Sequence, residues 1–239
     1  MSTKFGRAFP GWILVACLCG PVAAQVNEQT ATIVVGGYSS DGWTETGVFG
    51  IDVQDDIVDD IAAAVGLPYM GVPGGLDEPN VVTLAEFYGD TPPDYYTVAD
   101  VAELAQVTAQ WGGGLPRYAL IQAKFIRHVL ERTGAEQVNV VGASLGAAIS
   151  RYMLETDVEG LMSEGRIARW ITLEGVTCGS WVASQDGIVD ILEFFGPVGP
   201  EAAHMHYDWF DGQIHDPRTE LDNPLFDHVR ISHEVSSLD

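Results

Sequence analysis

The sequence VNVVGASLGAA, residues 138–148, decides the fold. A run of β-branched residues ends at Val141 and small residues able to open a helix follow, so the pattern predicts a strand, a tight turn and a helix. Ser144 would lie at the apex of that turn with its hydroxyl facing solvent. Gly142 and Gly146 supply the room that such a turn needs on either side. Because the chain has 27 glycines, the pattern alone is a weak indication and its context decides.

The elements around this turn follow the order of an α/β protein. Apolar residues at helical spacing predict a long helix over residues 116–132, with Gly134 as its end. The strand at 138–141 follows shortly, and after the turn we expect a helix over 145–155. This order places the turn at the carboxyl edge of a parallel sheet, where α/β proteins build their sites. Ser144 is therefore a candidate nucleophile.

The rest of the chain supplies further elements of the same kind. Strands are predicted at 30–37, 81–88, 167–173, 203–207 and 229–231, and helices at 53–67, 100–111 and 188–195. A chain of 239 residues with 46% hydrophobic residues can form one α/β domain with a sizeable core. We expect a mostly parallel central sheet with helices on both faces. The proline-rich stretch 68–115 is predicted to be either a lid inserted over the site or a long connection.

Residues 1–24 are predicted to be an export signal, because a basic start precedes a short apolar stretch and small residues before Gln25. The apolar stretch is too short to span a bilayer. We expect a secreted protein, extracellular or periplasmic, with a single domain over residues 25–239. The alternative is a lipoprotein anchored through Cys17.

Only Cys178 of the three cysteines lies beyond this segment, so neither a disulfide within the chain nor a cysteine zinc site is expected.

The chain is strongly acidic, with 34 Asp and Glu against 11 Lys and Arg and a formal net charge of -23. Long-range repulsion would oppose binding to nucleic acid and stable binding to anionic membranes, so neither is an expected partner. Beyond the export segment Lys124 is the only lysine. Such a surface is typical of proteins that stay hydrated at high ionic strength, and equally of ordinary acidic secreted proteins.

A serine hydroxyl is a weak nucleophile at neutral pH, so catalysis needs a base within hydrogen-bond reach and an acid that orients the base. In folds of this kind both come from loops after later strands, in the order serine, acid, histidine. His233 is the preferred base because it follows the last predicted strand, and His215 is the alternative. Asp211 is the preferred acid, because it would follow the strand predicted before it, and Asp208 is its nearest competitor.

The negative charge that develops during acyl transfer needs two backbone N–H donors. One would be the N–H of Leu145, at the start of the helix after the serine. The other is expected from the loop after the first strand, where Gly36 and Gly37 let the backbone approach closely. We assign this second donor to Tyr38, with Ser39 as the alternative.

In these features the chain resembles the α/β-hydrolase superfamily, and within it the secreted bacterial lipases and esterases. The resemblance is carried by IVVGGYSSDGW (33–43), the helix and turn of 126–155, WITLEG (170–175), DGQI (211–214) and ISHE (231–234). Many such lipases have His-Gly in the first loop and His before the nucleophile. Here Gly36-Gly37 and Ala143 stand in those places, and neither place performs a proton transfer.

The resemblance implies a serine hydrolase of carboxylic esters that is similar to lipases or esterases and acts on an ester or lipid. Ser144 would carry the acyl group, His233 would shuttle protons and Asp211 would orient it, with no cofactor and no metal. An amidase or acyltransferase would use the same three residues. A secreted α/β binding module would instead use the glycine turn for packing, or to bind an anion at a helix N-terminus.

Overall fold

The computed structural model describes residues 30–37, 60–64, 66, 82–85, 92–185, 199–214 and 223–234. In this part of the chain a five-stranded sheet has the order β2-β1-β3-β4-β5, and every pair is parallel. Its strands are β1 (Thr30–Val35), β2 (Val82–Ala85), β3 (Gln137–Ala143), β4 (Ile167–Leu173) and β5 (Arg230–Glu234). The predicted α/β fold with a parallel sheet is confirmed.

The register of the strands forms one row of residues at the carboxyl edge of the sheet. Val35 pairs with Gly142, Gly142 pairs with Thr172, and Thr172 pairs with His233. We call these four residues the edge row. Since laterally paired side chains project to the same face of a sheet, Thr172 and His233 face the same way.

Five helices connect these strands in the described residues: α1 (Val98–Trp111), α2 (Gly114–Thr133), α3 (Leu145–Glu155), α4 (Glu201–His204) and α5 (Tyr207–Gln213). Residues 60–64 are also helical. From β2 to β5 the connections run in one direction across the sheet, so right-handed crossovers place α1 to α5 on one face. The connection from β1 to β2 runs the other way, which places 60–64 on the opposite face. None of the described helices is both long and apolar enough to cross a bilayer.

The core lies between the sheet and the helices α2 and α3. The apolar stripe predicted for α2 is buried, with Phe125 and Val129 at 2% and 0% exposure, and it packs in one cluster with Val140 and Trp170 of the sheet. Each such side chain contributes roughly 1.5–3 kcal/mol through burial. This packing fixes α3, and with it the turn at Ser144, against the strands.

Lys124 joins α1, α2 and the turn at Val158–Gly160 by ion pairs. Its Nζ lies 2.7 Å from Asp100, 2.8 Å from Glu103 and 2.6 Å from Glu159, and its side chain is 7% exposed. We call these four residues the Lys124 cluster. The hydrogen bond from Lys124 lowers the pKa of Asp100 from 3.8 to about 2. Lys124, the only lysine after residue 24, is therefore part of the helix packing.

The structure corrects two predicted strands. The strand predicted at 203–207 is wrong, because this region holds α4 and the start of α5, with His206 capping α5 by accepting a hydrogen bond from Asp208 N–H (3.2 Å). The last strand is Arg230–Glu234 and not 229–231. His233 therefore lies within the strand, where β4 pairs with it.

The proline-rich stretch and two predicted helices are described only in part or not at all. Part of the stretch 68–115 belongs to the fold itself, because 82–85 form β2 and Val98–Trp111 form α1. Its role as a lid stays a prediction. The helix predicted at 188–195 lies outside the described residues, as does most of the one predicted at 53–67.

Candidate active site

Ser144 lies at the apex of the turn between β3 and α3. Its backbone angles are φ 50° and ψ -119°, a combination outside the regions that residues with a side chain normally adopt. Such a conformation costs of order 1–3 kcal/mol and persists only where the surrounding structure holds it. The residue is exposed. The turn therefore presents a serine to solvent at the carboxyl edge of the sheet.

The two glycines of this turn are required by close contacts with backbone. A Cβ atom on Gly142 would lie 2.8 Å from Ala147 Cα, at the start of α3. A Cβ atom on Gly146 would lie 2.6 Å from the carbonyl oxygen of Gly36 and would collide with that of Val35. The start of α3 therefore packs directly against the end of β1.

The loop after β1 lies against Ser144. A Cβ atom on Gly37 would be 3.2 Å from Ser144 Cβ and 3.5 Å from its Oγ. Tyr38 follows Gly37 directly and lies outside the described residues, as does Ser39. Leu145 is the first residue of α3, where backbone N–H groups have no acceptor within the helix. The roles of Tyr38 and Leu145 stay predictions, but the segments that carry them meet at Ser144.

His233 belongs to the edge row, two strands away from Gly142. Neighbouring strands lie ~4.8 Å apart, so the Cα atoms of these two residues are about 10 Å apart. The exposed ring of His233 places Nδ1 2.7 Å from Thr172 Oγ1 and meets the ring of Trp170 edge-on, with 5.4 Å between the centroids. His233 thus lies at the predicted edge of the sheet, and its hydrogen bond to Ser144 stays a prediction.

The predicted acid lies in a different setting from the one we expected. Asp211 is an exposed residue of the helix α5, so it does not follow a strand, and the reason for preferring it over Asp208 is wrong. The Asp208 side chain is 94% exposed and lies 3.8 Å from His206 Nδ1. His215 is outside the described residues. The roles of these acids, and of His215 as the alternative base, stay predictions.

The loop after β4 contacts Ser144, although only a Glu-Gly pair marked its start in the sequence. Ser144 N–H donates to the carbonyl oxygen of Leu173 (3.1 Å), and Val176 N–H donates to the carbonyl oxygen of Ser144 (3.2 Å). Glu174 has a positive φ of 47°. The exposed thiol of Cys178 follows in the same loop. The end of β4 and the loop after it therefore bind both backbone polar groups of Ser144, whose carbonyl oxygen also accepts from Ala147 N–H (3.1 Å).

A buried polar cluster at the start of α2 also escaped the sequence analysis. Leu115 N–H donates to His204 Nδ1 (3.1 Å), and the Tyr118 hydroxyl donates to Glu201 Oε2 (3.0 Å). His204 stacks on Trp209 at 4.6 Å. Burial lowers the pKa of His204. A neutral imidazole from α4 thus caps a helix that has no capping side chain of its own.

No group of three or more His, Cys, Asp or Glu residues able to hold a metal ion is found among the described residues. The parallel sheet, and the strand, serine turn and helix at its carboxyl edge, define the class: this is an α/β-hydrolase fold.

Comparison with known proteins gives matches among solved structures, whereas no family model and no curated protein matches the chain. A structure reported with the metagenome-derived lipolytic enzymes LipS and LipT has 15% identity and a TM-score of 0.35 over 66% of this chain and 49% of that chain. Phospholipase PlaB from Legionella pneumophila has 14% identity and a TM-score of 0.38 over 85% and 38%.

A third structure belongs to a Lactobacillus plantarum WCFS1 protein that bears the name of a cell surface hydrolase. It has 11% identity and a TM-score of 0.38 over 88% of this chain and 83% of that chain. The chain covers about half the length of the first match. At these identities the likeness concerns the fold at most.

Proposed function

We propose that this protein is a serine hydrolase of carboxylic esters, with Ser144 as its nucleophile. The observation that carries the proposal is the backbone of Ser144, which is strained, bound by the loop after β4, and directed to solvent in front of the first turn of α3. Strain of this kind is concentrated at functional sites because it orients a reacting side chain. A turn that served only for packing would gain nothing from an exposed serine in this conformation.

The reaction would proceed in two acyl transfers. Ser144 Oγ attacks the ester carbonyl while a histidine accepts its proton, and the alcohol leaves with that proton. Water then attacks the acyl-enzyme, and the histidine again takes and returns a proton to release the acid. The N–H groups of Leu145 and Tyr38 would stabilise the negative oxygen of each intermediate.

His233 is the base in this proposal. A base that acts through Nε2 must carry its other proton on Nδ1, and Nδ1 lies 2.7 Å from Thr172 Oγ1. The threonine hydroxyl can accept that proton in a hydrogen bond, which is the part an orienting acid plays elsewhere. Asp211 is the proposed acid, and because Nδ1 carries one proton, Asp211 would share that proton with Thr172 or take the place of Thr172 as its acceptor.

Covalent labelling by a fluorophosphonate tests the nucleophile. We expect the folded protein to gain one adduct on Ser144, and Ser144→Ala to gain none. Ser163→Ala is the matched control, because Ser163 is an exposed serine in the turn before β4, and it should be labelled like the wild type. An unlabelled wild type, or an equally labelled Ser144→Ala, would contradict the proposal.

The class of ester and the route of export need separate measurements. Turnover of chromogenic esters but not of matched amides supports an esterase, whereas preferred amide turnover indicates an amidase. The proposed export predicts that mature protein recovered outside the cytoplasm begins at Gln25. A lipid-modified Cys17 at the mature N-terminus would indicate the anchored alternative.

A further inference from the structure

Arg151 is a fully buried cation on α3, the helix that follows Ser144. Its side chain is 0% exposed, and its partner Glu155, one turn further along, has a side chain that is 1% exposed. Nε and Nη2 of Arg151 donate to Glu155 Oε1 at 3.1 and 2.6 Å. Nη1 reaches out of the helix and donates to the carbonyl oxygen of Thr177 at 2.8 Å. One guanidinium therefore joins α3 to the loop after β4.

Val176 of that loop, together with Leu173 at the end of β4, holds the backbone of Ser144. Leu173 accepts from the N–H of Ser144, and Val176 donates to its carbonyl oxygen. Thr177 comes directly after Val176, so the hydrogen bond from Arg151 fixes the loop next to its contact with Ser144. A Cβ atom on Gly175 would lie 2.6 Å from Ala147 Cβ, so the loop also packs closely on α3.

The presence of a buried ion pair is not explained by a gain in folding stability. Removing two charges from water costs several kcal/mol per ion, and apolar replacements of similar volume are often neutral or stabilising. Within α3, Arg151 and Glu155 could have been apolar residues that pack against the sheet. A planar guanidinium, however, can bind a carboxylate through two N–H groups and a carbonyl oxygen through a third in one fixed geometry, and an apolar side chain offers no donor to either.

We infer that Arg151 is a positioning residue for the nucleophile, which acts by binding the Thr177 carbonyl and so holding the loop that fixes the Ser144 backbone. This inference rests on the proposed function of Ser144. It concerns rate more than binding, because a displacement of the loop would move Ser144 Oγ away from the carbonyl carbon that it attacks. Displacements of about 1 Å at a reacting group can cost about 10²-fold in rate.

The double variant Arg151→Met/Glu155→Leu removes the guanidinium without leaving a buried charge behind. We expect a folded protein in which the rate of fluorophosphonate labelling and kcat for an ester fall by about 10²-fold, whereas KM changes little. Hydrogen exchange at the amides of Val176 and Ser144 should accelerate. Glu155→Gln is the control, because it removes the charge of the pair, leaves Arg151 bound to Thr177, and should react at close to the wild-type rate.

Arg151→Lys is a second variant for the case in which the double variant does not fold. Its ammonium can stay with Glu155 while the contact with Thr177 is lost, so slower labelling is expected in a protein that still unfolds cooperatively. Wild-type labelling rates and wild-type exchange at Val176 in either folded variant would overturn the inference. If the wild type itself is not labelled, the proposed function fails, and exchange at Val176 still decides whether Arg151 holds the loop.

Discussion

Replacing glycine by alanine should have opposite effects on stability at two positions, because the added methyl group has different surroundings in each. In Gly146→Ala the methyl group would collide with the carbonyl oxygens of Val35 and Gly36, so overpacking should cost about 1–3 kcal/mol of unfolding free energy. Gly212 is the matched case, because it lies in the helix α5 with no described heavy atom within 4 Å of its added Cβ. Gly212→Ala should raise the unfolding free energy by about 0.5–1 kcal/mol.

Urea unfolding of both glycine variants measures this difference. The fluorophosphonate labelling rate adds a second reading, since Gly146→Ala should slow the reaction of Ser144 and Gly212→Ala should not. Equal unfolding midpoints for the two variants would show that α3 does not press against the end of β1 as the contacts indicate.

Because of the contact between His233 and Thr172, removing the proposed base should reduce activity more than removing the proposed acid. We expect His233→Ala to lower kcat for an ester far more than Asp211→Ala, because the Thr172 hydroxyl still orients the imidazole when Asp211 is gone. Thr172→Val tests that contact and should lower kcat without changing KM. The measurement is steady-state ester hydrolysis by the three variants. A full loss in His215→Ala together with an active His233→Ala would instead identify His215 as the base.

Among the elements, α2 depends on a histidine from α4. The Leu115 N–H donates to His204 Nδ1, and burial lowers the pKa of His204 below 6.5. As the pH falls below about 6.5 the unfolded chain takes up a proton before the folded protein does. This contribution to stability is therefore complete above that pH and decreases as the pH falls toward the lowered pKa.

Urea midpoints measured from about pH 8 to about pH 5 should stay level down to about pH 6.5 and decrease below it. His204→Gln is the control, because its amide oxygen can accept the same hydrogen bond and does not titrate, so its midpoints should vary less. The pKa of His128 is also lowered by burial and contributes with the same sign in both proteins. An equal pH dependence in the two proteins would rule out His204 as the source.

The helices and strands that could be predicted from the sequence are those determined by residues close together in the chain. The β-branched runs of β1, β3 and β4 and the turn at Ser144 were predictable, because glycine sterics and side-chain alternation act over a few residues. The segment 203–207 was not, since five residues fit a strand and a helix about equally well. Its helical state goes together with a contact between Glu201 and Tyr118 that spans 83 positions.

The same limit applies to the candidate site. Ser144 was predictable from its pentapeptide together with the strand before it and the helix after it, whereas the Thr172 partner of His233 lies 61 positions away and depends on the register of β4 and β5. The role of Arg151 depends on a carbonyl oxygen in a loop 26 positions further on, and no residue type marks such an acceptor.

For the whole molecule, the excess of acid determines the response to salt. Exposed carboxylates repel one another at low ionic strength, whereas the Lys124 ion pairs, in which the lysine itself is 7% exposed, are screened less. We expect the urea midpoint of the wild type to rise between about 0.1 and about 1 M NaCl, as the Debye length shortens from about 10 to about 3 Å. A flat or falling midpoint would contradict this expectation.

Lys124→Met leaves the three carboxylates of the Lys124 cluster facing one another. We expect it to lose about 2 kcal/mol of unfolding free energy, comparable to one hydrogen bond to a charged group, with the larger loss at low salt.

In the wild type the stabilisation from Asp100 is complete above pH 3.8 and is lost as the pH falls to about 2. In Lys124→Met this acid-dependent loss should shrink, as acid titration of unfolding would show.

Cys178 gives this chain a spectroscopic reporter of its own. Once the proposed leader is removed, it is the only thiol in the chain, and it lies exposed in the loop that binds Ser144. A fluorophore or spin label attached there needs no engineered cysteine and no removal of competing ones. Its signal would report any change in the surroundings of this loop when Ser144 is acylated, in a chain of unchanged amino-acid sequence.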